Sequence, residues 1–437
     1  MMIRLVNIYI LILLLISCIF CNSQKQSKIS DWPQWRGPGR DGIWHEKISM
    51  DSLKPDNIKK IWNAPVGPGY SGPTVSDKRV YVMDYIKEPL PSERVLCFDA
   101  LSGKSLWTYE YPCEYYAIGY PLGPRASVLI NENMAYSFGA MGHLFCFNAM
   151  TGDVLWQHNT LEEYGSRIPT WGLASSPLIE KNLLIIQAGG QPDACIMGFD
   201  KITGEEIWRA LEDEASYSAP IMIDQAGTRV LICLTGEHIA GLDPGTGELY
   251  WKLPLNRKNG IINIATPVYS EPYLFISSFW DGSMLIRLDQ QKLEAEMVWH
   301  RAGENENNTD ALHCCISTPV IKGDYVYGID SYGEFRCLDL LTGNRIWESS
   351  VLVPHGRWAN VHFVQQGEKV WAFNEMGELI LGELTPSKFK DYGRVSVIKP
   401  VKMFPHPRNG VCWAHPAYAG NYIYVRNDEE LICIKLQ

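Results

Sequence analysis

The chain has 437 residues, 46% hydrophobic and 20% charged, which fits a globular protein with a real core and excludes a disordered or fibrous one. Its formal charge of −10, with no basic run, excludes a phosphate-tracking nucleic-acid surface. The 15 Trp and 22 Tyr are more than a structural repeat alone requires.

Residues 5–20 are almost entirely apolar and follow Arg4, so residues 1–21 read as an export signal. Leu15-Ile16-Ser17-Cys18 fits a bacterial lipobox, with Cys18 as the lipidated mature N-terminus. A plain secretory signal cut near 21–23 is the alternative. Either places the chain outside the cytoplasm, in the periplasm or on the outer membrane, held by a lipid anchor at most. Residues 22–57 form an N-terminal extension and 58–437 the folded domain.

Five segments share one frame, an apolar residue, Asp or Asn, two residues, Thr or Ser, Gly, three residues, Trp. They are FDALSGKSLW (98–107), FNAMTGDVLW (147–156), FDKITGEEIW (199–208), LDPGTGELYW (242–251) and LDLLTGNRIW (338–347). A sixth, LDQQKLEAEMVW (288–299), keeps the Asp and the Trp without the Gly. The Trp residues follow one another at 49, 52, 43, 48 and 48 residues, the period of a propeller blade. In 317–347 one unit resolves into four short strands, TPVI, YVYGID, FRCLD and NRIW, separated by Gly/Asp/Asn turns, as in an antiparallel meander. The Gly suits a left-handed residue closing the last hairpin, and the Trp can wedge on the neighbouring blade.

Innermost strands are signalled at SGPTV (71–75), ASVLI (126–130), SSPLI (175–179), SAPIM (218–222), ATPVY (265–269), STPVI (317–321), ANVHF (359–363) and AHPAY (414–418). The expected fold is therefore all-β, a single eight-bladed propeller of four-stranded antiparallel blades, monomeric. The last blade runs out of chain after three strands, so IKKIWNAPV (58–66) is expected to complete it and close the ring. Blade seven lacks both the Gly turn and the Trp. Cys97, Cys146, Cys337 and Cys433 fall at one repeat position and read as small buried hydrophobes.

Turns between first and second strands, such as 76–79, 180–182, 322–324 and 419–421, are tight and lie on one face. The opposite face carries long loops, including 108–124 with five Tyr, 157–172 and 301–315. Residues just before the inner strands should rim the central funnel on that face, namely Tyr70, Arg125, Trp171, Tyr217, Asn263, His313, Trp358 and Trp413. Such rings with a few polar groups suit a small-molecule or glycan ligand, or else simply plug a wide channel. Cys314-Cys315 can close a vicinal disulfide or stand as two separate thiols. Of the histidines, His143, His313, His355, His362, His406 and His415 include several near the funnel mouth, but no spacing matches a metal motif, and no metal site is expected. Neither GxSxG, HExxH nor a phosphate-cradling Gly loop occurs.

These repeats resemble the pyrroloquinoline-quinone-like (PQQ-like) β-propeller superfamily, whose repeat is LD-x-x-TG-x-x-x-W, over about 62–437. One branch comprises quinoprotein alcohol dehydrogenases with PQQ and Ca²⁺ in the funnel. Another is non-enzymatic and similar to BamB, the lipoprotein of outer-membrane barrel assembly. DWPQWRGPGRDG (31–42), GPRAS (124–128), IPTWG (168–172) and NIATPV (263–268) look most like exported propellers labelled BamB-like. That resemblance implies a non-catalytic, envelope-anchored binding scaffold, with no cofactor and with envelope proteins or a small ligand on the long-loop face. The enzyme branch implies PQQ with Ca²⁺, with Trp171 and Cys314-Cys315 as the nominal quinone sandwich, but the family's Cys pair falls earlier in the chain and its calcium ligands match no motif here. A carbohydrate-binding or carbohydrate-processing propeller would use the same aromatic funnel.

Overall fold

The computed structural model describes residues 31–255, 259–401 and 410–437. Cys18, the export signal and His406 lie outside the described residues. Eight four-stranded antiparallel sheets form the blades of a ring. Blade one comprises Thr74–Ser76, Arg79–Ile86, Ser92–Asp99 and Ser105–Pro112. Blade eight closes as expected: Ile58–Pro65 pairs with Glu430–Leu436, from Ile58 opposite Leu436 to Pro65 opposite Glu430. Helix is confined to Thr160–Tyr164 and a 3-10 turn at Pro55–Asn57 among the described residues.

Adjacent blades are joined by the repeat itself. The indoles of Trp62, Trp107, Trp156, Trp208, Trp299 and Trp347 each donate to a turn carbonyl of the next blade, at Ala100 (2.9 Å), Ala149 (3.0 Å), Lys201 (3.2 Å), Pro244 (3.2 Å), Leu340 (3.0 Å) and Thr385 (3.2 Å). Trp251 faces the copy that has lost its Gly and donates instead to Gln225 Oε1 (3.0 Å), whose amide bonds the Glu294 carbonyl of that turn (2.7 Å). A side-chain amide thus replaces a backbone contact where the turn has changed shape.

The four equivalent cysteines are fully buried. Each stands opposite a tyrosine on the second strand, in the pairs Tyr81–Cys97, Tyr136–Cys146, Tyr327–Cys337 and Tyr424–Cys433. A small thiol beside a large ring keeps the layer thickness constant from blade to blade.

Loop boundaries differ slightly from the sequence expectation. The outer strand runs to Pro112, so Tyr109 and Tyr111 belong to the sheet. The stretch after Asn159 starts with the short helix.

Residues 31–57 are built into the ring. Trp32 exchanges two backbone hydrogen bonds with Val75 at 2.8 Å, and Pro33 accepts one from Ile130 (2.8 Å). The chain then enters the channel from the tight-turn face and leaves beside blade seven, where Gly42 and Trp44 bond Gln365 (2.8 Å each). Arg40 lies buried in the channel and donates to the carbonyls of Pro177 (2.7 Å), Ser176 (3.1 Å) and Pro220 (3.1 Å) on two inner strands. Among the described residues the segment fills the tight-turn end of the channel, with Arg40 and Trp35 bonded to inner-strand groups.

Candidate functional site: a blind aromatic funnel

The inner strands share a column of channel-facing residues: Gly72, Ser127, Ser176, Ala219, Thr266, Thr318, Asn360 and His415. Hydrogen bonds link members of this column at three places. Ser127 N bonds Ser176 Oγ (3.0 Å), Thr266 N bonds Thr318 Oγ1 (3.2 Å) and Ser127 Oγ meets His415 Nε2 (2.7 Å). His415 is the one large member of the column. Gly72 makes room for it, since a Cβ there would lie 2.4 Å from the imidazole.

Above this ring is a cavity of about 160 Å³. Its floor is Trp35 from the inserted segment, which donates to Thr266 Oγ1 (2.9 Å) and meets His415 edge-on with centroids 4.4 Å apart. His362 completes the floor, bonded through Nε2 to the Trp413 carbonyl (2.8 Å). Burial pushes both imidazoles down, His362 to about 4 and His415 to about 3, with the charge of Arg36 adding to the effect on both and that of His362 to the effect on His415. The floor is therefore neutral at ordinary pH.

Two aromatic arcs form the walls. Tyr70 and Tyr120 lie against Trp413 with centroids at 6.1 and 5.6 Å. Opposite them, Trp171 packs against Tyr217 (5.5 Å) and Trp358 (6.5 Å), with Phe279 behind Trp358 (4.4 Å). Trp358 holds a left-handed backbone (φ 67°), which a non-glycine adopts only where its surroundings impose it. The guanidinium of Arg357 covers its ring at 4.2 Å and is paired to Glu306 (2.7 Å). Ile262, Ile264, Ile316 and Cys315 fill the wall between the arcs.

Six of the eight residues expected at the rim line this cavity: Tyr70, Arg125, Trp171, Tyr217, Trp358 and Trp413. Asn263 and His313 do not. Asn263 is buried behind the wall, donating to the Thr235 carbonyl (2.9 Å) while its own carbonyl receives Tyr217 N (3.1 Å). His313 is held by its backbone to Asp330 (2.6 Å), accepts from Gly303 N at Nε2 (3.2 Å) and so donates from Nδ1 to the Phe279 carbonyl (3.0 Å). It organises the 302–319 loop. Trp35 and Tyr120 join the lining without having been named for the rim, and Cys315, His362 and His415 line it as well.

Cys314 and Cys315 are separate thiols, so the vicinal disulfide does not form here. Cys314 packs with Ala265, Phe275 and Leu312, whereas Cys315 faces the funnel beside Ile262 and Phe279. Burial raises both thiols, Cys314 to about 12.

His143 sits beside Tyr111 and Cys113, and His355 pairs with Glu334 (3.1 Å), both away from the funnel. Asp213, Glu237 and His238 come within 4.8 Å of one another outside the cavity, but Asp213 already receives Thr235 Oγ1 (2.5 Å) and His238 Nδ1 (2.9 Å).

The donor set does not fit a quinone with Ca²⁺. Calcium takes six to eight oxygens, carboxylates foremost, and among the described residues no carboxylate or side-chain amide lines the cavity. No catalytic step through that pair follows from these residues.

The family model described as outer membrane protein assembly factor BamB matches residues 51–169 and 91–349. The outer membrane protein assembly factor BamB of Yersinia pestis is 22% identical over 209 residues, 44% of this chain and 49% of that protein. The chain thus spans about half the length of this curated relative. Among solved structures, BamB from Moraxella catarrhalis superposes with a TM-score of 0.55 at 15% identity, covering 87% of this chain and 98% of that one. The quinohemoprotein alcohol dehydrogenase of Comamonas testosteroni gives 0.64 at 13% identity, covering 96% and 82%. At such identities these two likenesses show the fold alone. On the extent of the family match, the chain belongs to the BamB family of PQQ-like β-propeller repeat proteins.

Proposed function

We propose that this chain is an exported, lipid-anchored, non-catalytic binding propeller that works beside envelope proteins of outer-membrane assembly, using its long-loop face. The observation that carries this reading is the funnel. It is built for contact, with aromatic walls and a closed floor, and its two histidines are held neutral by burial. General acid–base catalysis works best with groups whose pKa lies near the operating pH, and these lie well below it. The family match supports the envelope setting. Attachment is assigned to Cys18 on the lipobox Leu15-Ile16-Ser17-Cys18; among the described residues no helix is long and apolar enough to cross a membrane.

Pull-down from detergent-solubilised envelope tests the reading. Barrel-assembly or other envelope partners should co-purify with the intact chain, and a partner-free preparation would count against it. In the same cells Cys18→Ala should shift the protein from the membrane to the soluble periplasmic fraction. An unchanged membrane fraction would remove the lipid anchor from the proposal.

A further inference from the structure

The funnel is uneven in charge and in hydrogen-bonding capacity. Among the described residues lining it, Arg125 alone carries a formal charge at neutral pH. A guanidinium has five N–H donors. In Arg125 three are engaged by carbonyls, Nη1 with Gly123 and Nη2 with Gly119 (3.0 Å) and Tyr120 (2.8 Å). Nε and the second Nη1 hydrogen remain available, and no ion pair forms between Arg125 and a carboxylate of the described residues. The group is half-buried, its flat face 5.0 Å above the Tyr70 ring. A cation held in an apolar wall without a counter-charge is costly, and an anion arriving in the cavity relieves that cost.

The rest of the lining points the same way. The indole N–H groups of Trp171 and Trp358 are bonded to no other residue, while carboxylates and amides are missing from the described lining. Such a wall donates more than it accepts. A sugar, with a hydroxyl on most carbons, needs acceptors as well as stacking faces, and a cationic ligand would meet Arg125. An acceptor-rich group on an apolar body matches the wall.

Size sets the body. An apolar cavity of about 150 Å³ holds one benzene ring, so about 160 Å³ takes one ring with a short side chain. One unpaired guanidinium sets the charge at a single unit.

We infer that the funnel binds a small monoanion made of one aromatic ring and one carboxylate, the ring between the two aromatic arcs above Trp35 and the carboxylate on Arg125. This rests on the funnel being a binding site, as proposed above, but not on any protein partner. The neutral floor suits the uncharged end of such a ligand.

Isothermal titration of the full-length purified chain at pH 7 tests it with three probes of one shape: 3-phenylpropionate, 3-phenylpropionamide and 3-phenylpropylamine. The carboxylate should bind about tenfold or more tighter than the amide, as a charge-assisted bond to guanidinium implies, and the amine should not bind. Arg125→Gln should bring carboxylate and amide to equal affinity, while Trp171→Ala should weaken both together. Equal affinities in the unmodified protein, no binding of any probe, or a carboxylate preference that survives Arg125→Gln would each overturn the inference. Because Arg125 also holds three loop carbonyls, the acid-to-amide ratio in the unmodified chain stands as a test even where that variant fails to fold. Envelope partners in the pull-down without probe binding would sink this inference alone, whereas probe binding without partners would sink only the scaffold role.

Discussion

Trp107 of blade one stands on Gly152 of blade two. A Cβ at Gly152 would lie 2.7 Å from the indole, and the same indole donates to Ala149 O at 3.0 Å in the same turn. The pattern recurs at Trp62 on Gly103, Trp156 on Gly204 and Trp208 on Gly247, each 2.6 Å from the would-be Cβ. The Gly thus answers two demands, a left-handed backbone (φ 81° at Gly152) and a seat for the ring of the preceding blade. This explains why a Gly in the turn of one blade goes with a Trp on the blade before it; the two turns without the Gly, at 288–299 and in blade seven, meet Trp251 through Gln225 and Trp347 through the Thr385 carbonyl alone.

Gly152→Ala should destabilise the protein by about 2–3 kcal/mol, combining about 1–2 kcal/mol of left-handed backbone cost with displacement of the Trp107 ring. Gly227→Ala isolates the first effect, because Gly227 has φ 73° but nothing within 4 Å of its would-be Cβ. Denaturant melts of the two variants should differ by about 1 kcal/mol or more. Equal losses would show that the ring makes no demand on the Gly.

Arg40→Met should loosen the inserted segment. Removing the guanidinium leaves the carbonyls of Ser176, Pro177 and Pro220 without a buried donor, at a cost of about 2–4 kcal/mol. Limited proteolysis should then cut within 31–50 faster than in the unmodified chain while the blades stay intact. An unchanged cleavage pattern would mean that Arg40 does not hold the segment.

Stability should fall with acid through a window set by the funnel floor. His362 and His415 titrate at about 4 and about 3 in the folded chain, against 6.5 for a free imidazole. The unfolded chain therefore takes up protons first as pH drops below 6.5. The neutral imidazoles' contribution, complete above that pH, is lost progressively down to their folded values and amounts to a few kcal/mol in order of magnitude. A His362→Gln/His415→Gln variant should show a flatter acid limb between pH 6.5 and 4 in equilibrium unfolding. An identical slope would assign acid sensitivity to other groups.

The separate thiols at 314 and 315 have a direct readout. Denaturing the protein without reductant in the presence of iodoacetamide should add two labels to the peptide bearing Cys314 and Cys315. In the native state both should be inert, since burial raises both thiols and only a thiolate reacts readily. An unlabelled peptide lighter by two hydrogens would restore the disulfide.

Most of the architecture is legible in the sequence because a repeat states the same local rule many times. Ring closure follows as well, from an unpaired outer strand at one end and a three-strand blade at the other. The funnel is only partly legible. Trp35 reaches it because the chain threads back through the channel, and nothing periodic in DWPQWRGPGRDG reports that path. His415 carried a readable signal, since it stands where the other seven inner strands have Gly, Ser, Ala, Thr or Asn. His362 follows two residues after Asn360 and so shares its face. Asn263 and His313 were misplaced because counting back from the strand assumes one loop path for every blade. In the 302–319 loop the backbone of His313 is instead tied to Asp330, just past the end of the second strand, which turns the ring away from the funnel.

The most direct test of the proposed role is site-specific photocrosslinking in living cells, with the photoreactive residue placed once at Tyr116 on the long-loop face and once at Leu341 on a tight turn, two side chains that are 64% and 51% exposed. Crosslinks to envelope proteins from position 116 with none from 341 are the expected result. Crosslinks from 341 alone, or from neither position, would contradict a binding propeller that works through its long-loop face.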